Sequence, residues 1–340
     1  MGRKLLVTVT PEAEVHTGLP GPESHWRELT HDRRVPRRSV HKASEAEVLL
    51  TDAMHLGGER YAVAAAWHRD HYLAHRGGPA ADPVLLVETV RQTAIHLSHR
   101  FLGVPHGMPF VLSEARVELV EDLPAPDAVP LGVGLDVTCR RAATSARRLR
   151  LELEGDVLVR HRRLGRVRLC WEPMEPRRYA VVRRHGGQGA PAGPSEPGPA
   201  RVALEPVRVG HLSRRDVLID ADPLRADRWW LRLDTEHPVL FDHESDHVPG
   251  MALVEAFRQA GRVATAGSRP QAGGVRLLDV AFTAFGELDA PVTITAHPLG
   301  DGLSAFRAHQ GGRELACARI GGAATTPGTA RAGTATGTAC

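Results

Sequence analysis

Lysine is almost missing from this 340-residue chain: Lys4 and Lys42 are the only two, and the rest of the 43 basic residues are arginines. The bias resembles the composition of a GC-rich genome more than a binding device, because the arginines are scattered along the chain. With 40 acidic residues beside them the formal net charge is only +3. A polyanion binder concentrates positive charge on one face, so no nucleic-acid partner is expected. Cysteine is scarce too. Cys139, Cys170, Cys317 and Cys340 lie far apart without Cys-x-x-Cys spacing, which excludes a disulfide framework and a zinc cluster and leaves small apolar side chains, with Cys340 an exposed terminal thiol. Aromatics make up 4% of the chain against a hydrophobic fraction of 42%, so Val, Leu and Ala must fill the core. No apolar run approaches the ~18 residues of a membrane span, and the opening MGRKLLVTVT is too short for a signal segment. The expectation is a cytoplasmic protein of two domains that does not engage a membrane.

Two stretches have too little apolar content to offset the entropy of ordering them: RRHGGQGAPAGPSEPGPA, from Arg183, and TTPGTARAGTATGTAC, from Thr325. They divide the chain into an N-terminal extension (1–35), a first domain (36–180), a linker (181–203), a second domain (204–324) and a loose tail (325–340).

The two domains repeat one another. HKASEAEVLLTDA, from His41, faces HLSRRDVLIDADP, from His211; in each a polar run leads into an apolar triplet, Val48 to Leu50 or Val217 to Ile219. Alternating runs follow, RYAVAAAW from Arg60 and RWWLRLD from Arg228, with the period of a half-buried strand. Histidine-containing loops come next, with His71 and His75 in one and His243 and His247 in the other, and then a long apolar helix in each half. Several strand-like runs follow each helix. A helix followed by an antiparallel sheet, repeated, is α+β patterning, with the sheet wrapping the helix.

The helices carry the chemistry. From about Leu85 to Phe101, Leu86, Val90, Thr93, Ala94 and Leu97 share an inward face while Glu88, Arg91 and Gln92 share another. From about Met251 the pattern recurs, with Leu253, Val254 and Phe257 inside and Glu255, Arg258 and Gln259 together. One such Glu–Arg pair on a solvated face would contribute only a few tenths of a kcal/mol. Duplication on flanks this apolar places the charges in a cleft, where they need partners or a task. Pro249 and Gly250 start the second helix and leave first-turn amides for a carbonyl or oxyanion; Asp82 caps the first helix, so the two sites are not equivalent. His243 and His247 are candidates for binding or orienting a substrate. Although they stand four apart, the run precedes the helix and brings no carboxylate at a diagnostic spacing, so no metal is expected.

Three stretches, HKASEAEVLLTD, DPVLLVETVRQTAIHLSHRFLGVPHGMPFVL and DHVPGMALVEAFRQA, together resemble the A-factor, or gamma-butyrolactone, biosynthesis family. The resemblance implies a tandem double hotdog, each half a long helix wrapped by an antiparallel sheet. It implies an acyltransferase that moves a β-ketoacyl group from an acyl-carrier-protein or coenzyme A thioester to a hydroxyl of dihydroxyacetone phosphate, without a cofactor. The family's carboxylates and arginine fall on Glu88, Glu255 and Arg258, with Arg91 matching in the first half. Glu255 or Glu88, its pKa raised by an apolar pocket, would take the hydroxyl proton. Arg258 and Arg91 would hold phosphate or developing charge, Gln92 and Gln259 would bind beside them, and the Gly250 amide would polarise the thioester. A hotdog dehydratase or thioesterase and a non-catalytic acyl-binding module are the alternatives. Against dehydratase chemistry, the position where such enzymes carry a histidine ahead of the helix acid holds Phe241, with His237 and His243 on either side. A fused pair already contains the pairing that single hotdogs reach by dimerising, so a monomer or a homodimer fits.

Overall fold

The computed structural model describes residues 25–68, 73, 81–126, 129–142, 149–186, 200–265 and 274–322. In the first half β1 (Leu50–Gly57) and β2 (Arg60–Trp67) precede the helix α1 (Pro83–Arg100), and β3 (Phe110–Leu119), β4 (Leu131–Ala142), β5 (Arg150–Val159) and β6 (Arg162–Pro173) follow it. A connecting helix, α2 (Pro176–Gly186), leads to β7 (Val202–Ala203) and the single turn α3 (Pro206–Val209). The second half then repeats the first: β8 (Ile219–Asp222), β9 (Arg225–Leu231), the helix α4 (Gly250–Thr265), β10 (Leu277–Phe282), β11 (Thr293–Gly300), β12 (Leu303–Gln310) and β13 (Arg313–Gly321).

All strands pair antiparallel in a single sheet ordered β1-β2-β4-β5-β6-β3-β10-β13-β12-β11-β9-β8-β7. The order of the first six strands is mirrored by the next six, so β3 and β10 are equivalent strands meeting at a pseudo-two-fold seam, where Val117 faces Leu278 and Ala115 faces Val280. This is a double hotdog. Above the seam Asp279 accepts from Arg319 at 2.6 Å and from Arg116 at 3.4 Å; these side chains are partly solvated and contribute at most about 1 kcal/mol. The apolar pairs beneath hold the halves together, and one continuous core runs through both.

The sequence explains the elements directly. β4 alternates, with Leu131, Val133, Leu135, Val137 and Cys139 turned into the core. α1 starts where Asp82 accepts from the Val84 amide at 2.9 Å and Pro83 occupies the first turn. It is buried on nearly every side, so its polar residues must find partners inside the protein. α1 packs against β3, β1, β6 and α4, and α4 against strands of its own half. One difference from the sequence reading concerns the linker: Arg183 and Arg184, placed in it, continue α2. Arg183 is fixed there because it grips Glu287 with both terminal nitrogens at 2.9 Å and donates to Asp246 at 3.1 Å.

Candidate functional site

Each long helix holds its acid, base and amide as one hydrogen-bonded unit. In α1, Arg91 grips Glu88 with Nε and Nη2, each at 2.8 Å, and Gln92 Nε2 donates to the same carboxylate at 2.9 Å. Gln92 also donates to Glu47 O at 2.8 Å and accepts from the Leu49 amide at 2.9 Å, tying the helix to the turn before β1. In α4, Arg258 grips Glu255 at 2.9 and 2.7 Å and Gln259 donates to it at 2.8 Å. Gln259 likewise bonds Asp216 O and the Leu218 amide. The stripe read from spacing is therefore a built device in both halves.

These contacts keep the pairing of Val48–Leu50 with Val217–Ile219 and correct the pairing of His41 with His211. Gln92 reaching Leu49 and Gln259 reaching Leu218 make those leucines equivalent, and Ser44 and Ser213 cap matching turns. His211 therefore stands opposite Lys42, not His41, and His41 stands opposite Gly210. Lys42 Nζ lies 3.2 Å from Glu88 Oε1, and His211 Nε2 lies 2.7 Å from Glu255 Oε1 and 3.0 Å from Arg258 Nη2. Sequence reasoning missed Lys42, although one of only two lysines in an arginine-rich chain was a signal, and it paired His211 with the wrong residue.

The centres also cross between halves. Asp82, the cap of α1, places Oδ2 3.3 Å from Arg258 Nε. Asp242, from the loop ahead of α4, accepts from the Ala43 amide at 3.1 Å and lies 3.8 Å from Lys42 Nζ. The centres differ in access. Glu255 is 0% exposed and Arg258 6%, the latter also held by Val209 O at 2.8 Å. Arg91 keeps 20% of its side chain exposed.

The expected raised carboxylate is overturned in the first centre. Burial alone would push Glu88 up, but Arg91 and Lys42, with hydrogen bonds from Arg91 and Gln92, hold it down at about 2. Glu88 is held as an anion ringed by donors. Burial pulls Arg258 down, yet Glu255 and Asp82 hold its pKa above the ordinary guanidinium value.

The other sequence candidates scatter. Gly250 begins α4, and a Cβ there would meet Phe282 at 3.2 Å, so its smallness makes room for that ring. His243 is an exposed side chain bonded to Asp242 at 2.6 Å, at the rim of the first centre. His247 bonds Asp246 at 2.7 Å and lies 3.2 Å from the Tyr179 hydroxyl, joining α2 and not the Glu255 centre. His237 is buried; Nδ1 accepts from the Val239 and Leu240 amides, so Nε2 donates to Asp216 at 3.1 Å. It buttresses the loop and leaves no group for catalysis. His71 and His75 lie outside the described residues. Among the described residues no His, Cys, Asp and Glu are grouped to hold a metal ion, and no helix is long and apolar enough to cross a membrane. A groove of about 520 Å³ lined by Trp26, His31 and Gly134 lies where Ala62 and Ala64 form a separate apolar cluster, distinct from the main core.

Beside the first centre sits an imidazole group. His41 adopts a left-handed backbone, φ 54° and ψ 51°, the conformation Gly210 takes with φ 85° and ψ 21°. For a side chain with a Cβ this costs about 1 kcal/mol or more. His41 Nε2 lies 2.9 Å from His99 Nε2, His99 Nδ1 donates to Val104 O at 2.8 Å, His106 stacks on His99 at 4.2 Å and Phe110 stands edge-on to His41 at 4.9 Å.

Residues 27–174 and 194–325 match the family model for the A-factor biosynthesis hotdog domain. The chain is similar to the 2-oxo-3-(phosphooxy)propyl 3-oxoalkanoate synthase of Streptomyces virginiae, 35% identical over 272 residues, covering 78% of this chain and 87% of that protein. It is similar to the synthase of the same name from Streptomyces coelicolor, 33% identical over 272 residues, covering 77% and 81%. The solved 12:0-ACP thioesterase from Umbellularia californica overlies 79% of this chain and 98% of its own at 14% identity, with a TM-score of 0.49. With both segments of the family model matched, and a curated relative above 30% identity covered over most of its length, the chain belongs to the A-factor biosynthesis hotdog family.

Proposed function

We propose that this protein is an acyltransferase that joins a 3-oxoacyl group, carried as an acyl-carrier-protein or coenzyme A thioester, to a free hydroxyl of dihydroxyacetone phosphate. The product is a 2-oxo-3-(phosphooxy)propyl 3-oxoalkanoate, an early intermediate of a gamma-butyrolactone signal. The observation that carries this reading is the twinned Glu–Arg–Gln unit on two adjoining buried helices, one of whose guanidiniums keeps an open side. The names of the two relatives supply the chemistry.

Each group has a task. Glu88 and Glu255 fix the guanidiniums of Arg91 and Arg258, and Gln92 and Gln259 fix the carboxylates. Arg91, partly open and backed by Lys42, receives the phosphate through its planar fork. Arg258, tied to Asp82, holds the two halves in register about the substrate. Transfer is direct. The described cysteines are buried, and burial, with Glu59 nearby, pushes the Cys139 thiol up to about 12, far from an activated nucleophile. Such thioesters are cytoplasmic metabolites, and the reading places the protein there.

Purified protein incubated with a 3-oxoacyl-carrier thioester and dihydroxyacetone phosphate should yield the phosphorylated ester by mass spectrometry, and Arg91→Ala should abolish it. Silence of the wild type with authentic carrier substrates refutes the assignment. The buried Glu255–His211 pair also suits proton transfer in a hotdog dehydratase; loss of water from a 3-hydroxyacyl thioester would select that reading instead.

A further inference from the structure

We infer that His41 is the general base of the acyl transfer, with Nδ1 taking the proton from the dihydroxyacetone phosphate hydroxyl in the first-half centre. The inference rests on the acyl-transfer reading and names a residue and a centre for it.

Three observations carry it. The first is the backbone. The two repeats require a left-handed residue at this position; the second half meets the requirement with Gly210, whereas the first half spends strain to keep a histidine. Strain retained where the repeat dispenses with it points to a side chain with a task.

The second is the tautomer chain. Val104 O only accepts, so His99 Nδ1 carries a proton and, in the neutral ring, Nε2 is a lone pair. His41 Nε2 must then be the donor across the 2.9 Å contact. That leaves Nδ1 of His41 as its basic nitrogen, and no hydrogen bond to it is found among the described residues. A carbonyl and a second imidazole thus orient the ring much as an acid orients the histidine of a hydrolase.

The third is the setting. His41 directly precedes Lys42 in the chain, and Arg91 and His99 bear on it from α1, His106 from the loop after α1 and His243 from the loop before α4. Glu88 and Asp242 complete the charged surroundings through Lys42. Burial first, and then His99, Arg91, His243 and His106, hold His41 down at about 3. The ring is therefore unprotonated in the empty centre and ready to accept. A phosphate dianion seated on Arg91 opposes the part of the depression that comes from neighbouring positive charge and not from burial, so substrate binding itself raises the ring's basicity.

The step balances. The hydroxyl oxygen attacks the thioester carbonyl carbon as its proton passes to His41 Nδ1. The C–S bond then breaks, and the thiolate leaves with that proton, restoring neutral His41 and releasing ester and thiol.

The repeat supplies the test. His41→Gly copies Gly210, so the variant should fold with an unchanged or raised Tm. It should lose at least ~100-fold in kcat and regain part of the loss with added imidazole. His41→Asn, which tolerates the left-handed backbone but carries no base, should be as slow, and together the two variants separate lost chemistry from lost folding. Wild-type rates in either folded variant, or a loss that imidazole leaves untouched, overturns the role of His41 while the acyl-transfer reading stands. A wild type that forms no phosphorylated ester overturns both.

Discussion

Arg258 lies 3.3 Å from Asp82, an ion pair between the second-half helix and the residue that caps the first-half helix. The contact links the arginine of one half's Glu–Arg–Gln unit to the start of the other half's helix, so the two hotdogs meet through these side chains as well as along the sheet.

Asp82 therefore carries two separable roles. Asp82→Asn keeps an oxygen for the Val84 amide but removes the charge facing buried Arg258, and should cost about 1–3 kcal/mol. Asp82→Ala also removes the cap and should cost about 1 kcal/mol more. Urea unfolding of the two variants measures both steps, and an Asn variant as stable as the wild type would show the cross-half pair to be idle.

Glu255 is fully enclosed. Glu255→Gln leaves the Arg258 charge buried with Asp82 alone and should destabilise by roughly 3–5 kcal/mol. Pairing it with Arg258→Met should recover stability without recovering turnover. Additive losses in the double variant would mean that the pair is not energetically coupled.

The glutamines anchor the helices to the turns before the first strand of each half. Gln92→Leu orphans the Leu49 amide and the Glu47 carbonyl, and Gln259→Leu does the same to Leu218 and Asp216. Each should cost about 2–4 kcal/mol, since buried donors and acceptors lose their partners. Hydrogen exchange at the Leu49 and Leu218 amides should quicken selectively; unchanged protection would refute the anchor.

Acid should weaken the fold in two windows. His41 and His96 are held at about 3 and about 4, each chiefly by burial, below the ordinary 6.5. The unfolded chain binds those protons first, so their effect is absent above pH 6.5 and stability falls as pH drops toward 3. Glu88 is held at about 2 against an ordinary 4.5; its contribution, on the order of 3 kcal/mol, is present above pH 4.5 and is lost as pH falls through 2. Stability curves of His41→Gly and Glu88→Gln should diverge from wild type in those respective windows. A Glu88→Gln difference independent of pH between 5 and 2 would contradict the depressed carboxylate.

Much of the architecture was legible because it rests on local patterns. The run of β2 and the apolar periodicity of both helices place those elements within two residues of where they form. By contrast, β9 (Arg225–Leu231) starts three residues ahead of the run read for it, and β2 is buried on both faces where half-burial was read. The Glu–Arg–Gln stripe was legible because positions three and four apart on a helix are neighbours whatever surrounds them. The pairing of the two histidines ahead of the first strands was not. His41 and His211 look alike in sequence, but equivalence is set by which backbone groups Gln92 and Gln259 reach, a long-range fact.

The sequence by itself determined that two helical acids each meet their own arginine and glutamine, since α-helical geometry makes residues three and four apart neighbours on one face. Only the tertiary structure decided that Glu88 stays ionised, because the depth of its burial raises a carboxylate while Arg91 and, after it, a lysine from a distant turn lower it. It alone brought Asp82 to Arg258 and Asp242 to Lys42, because the pseudo-two-fold pairing of β3 with β10 sets the two halves against each other, and it brought His41 to His99 by folding the turn before β1 onto α1.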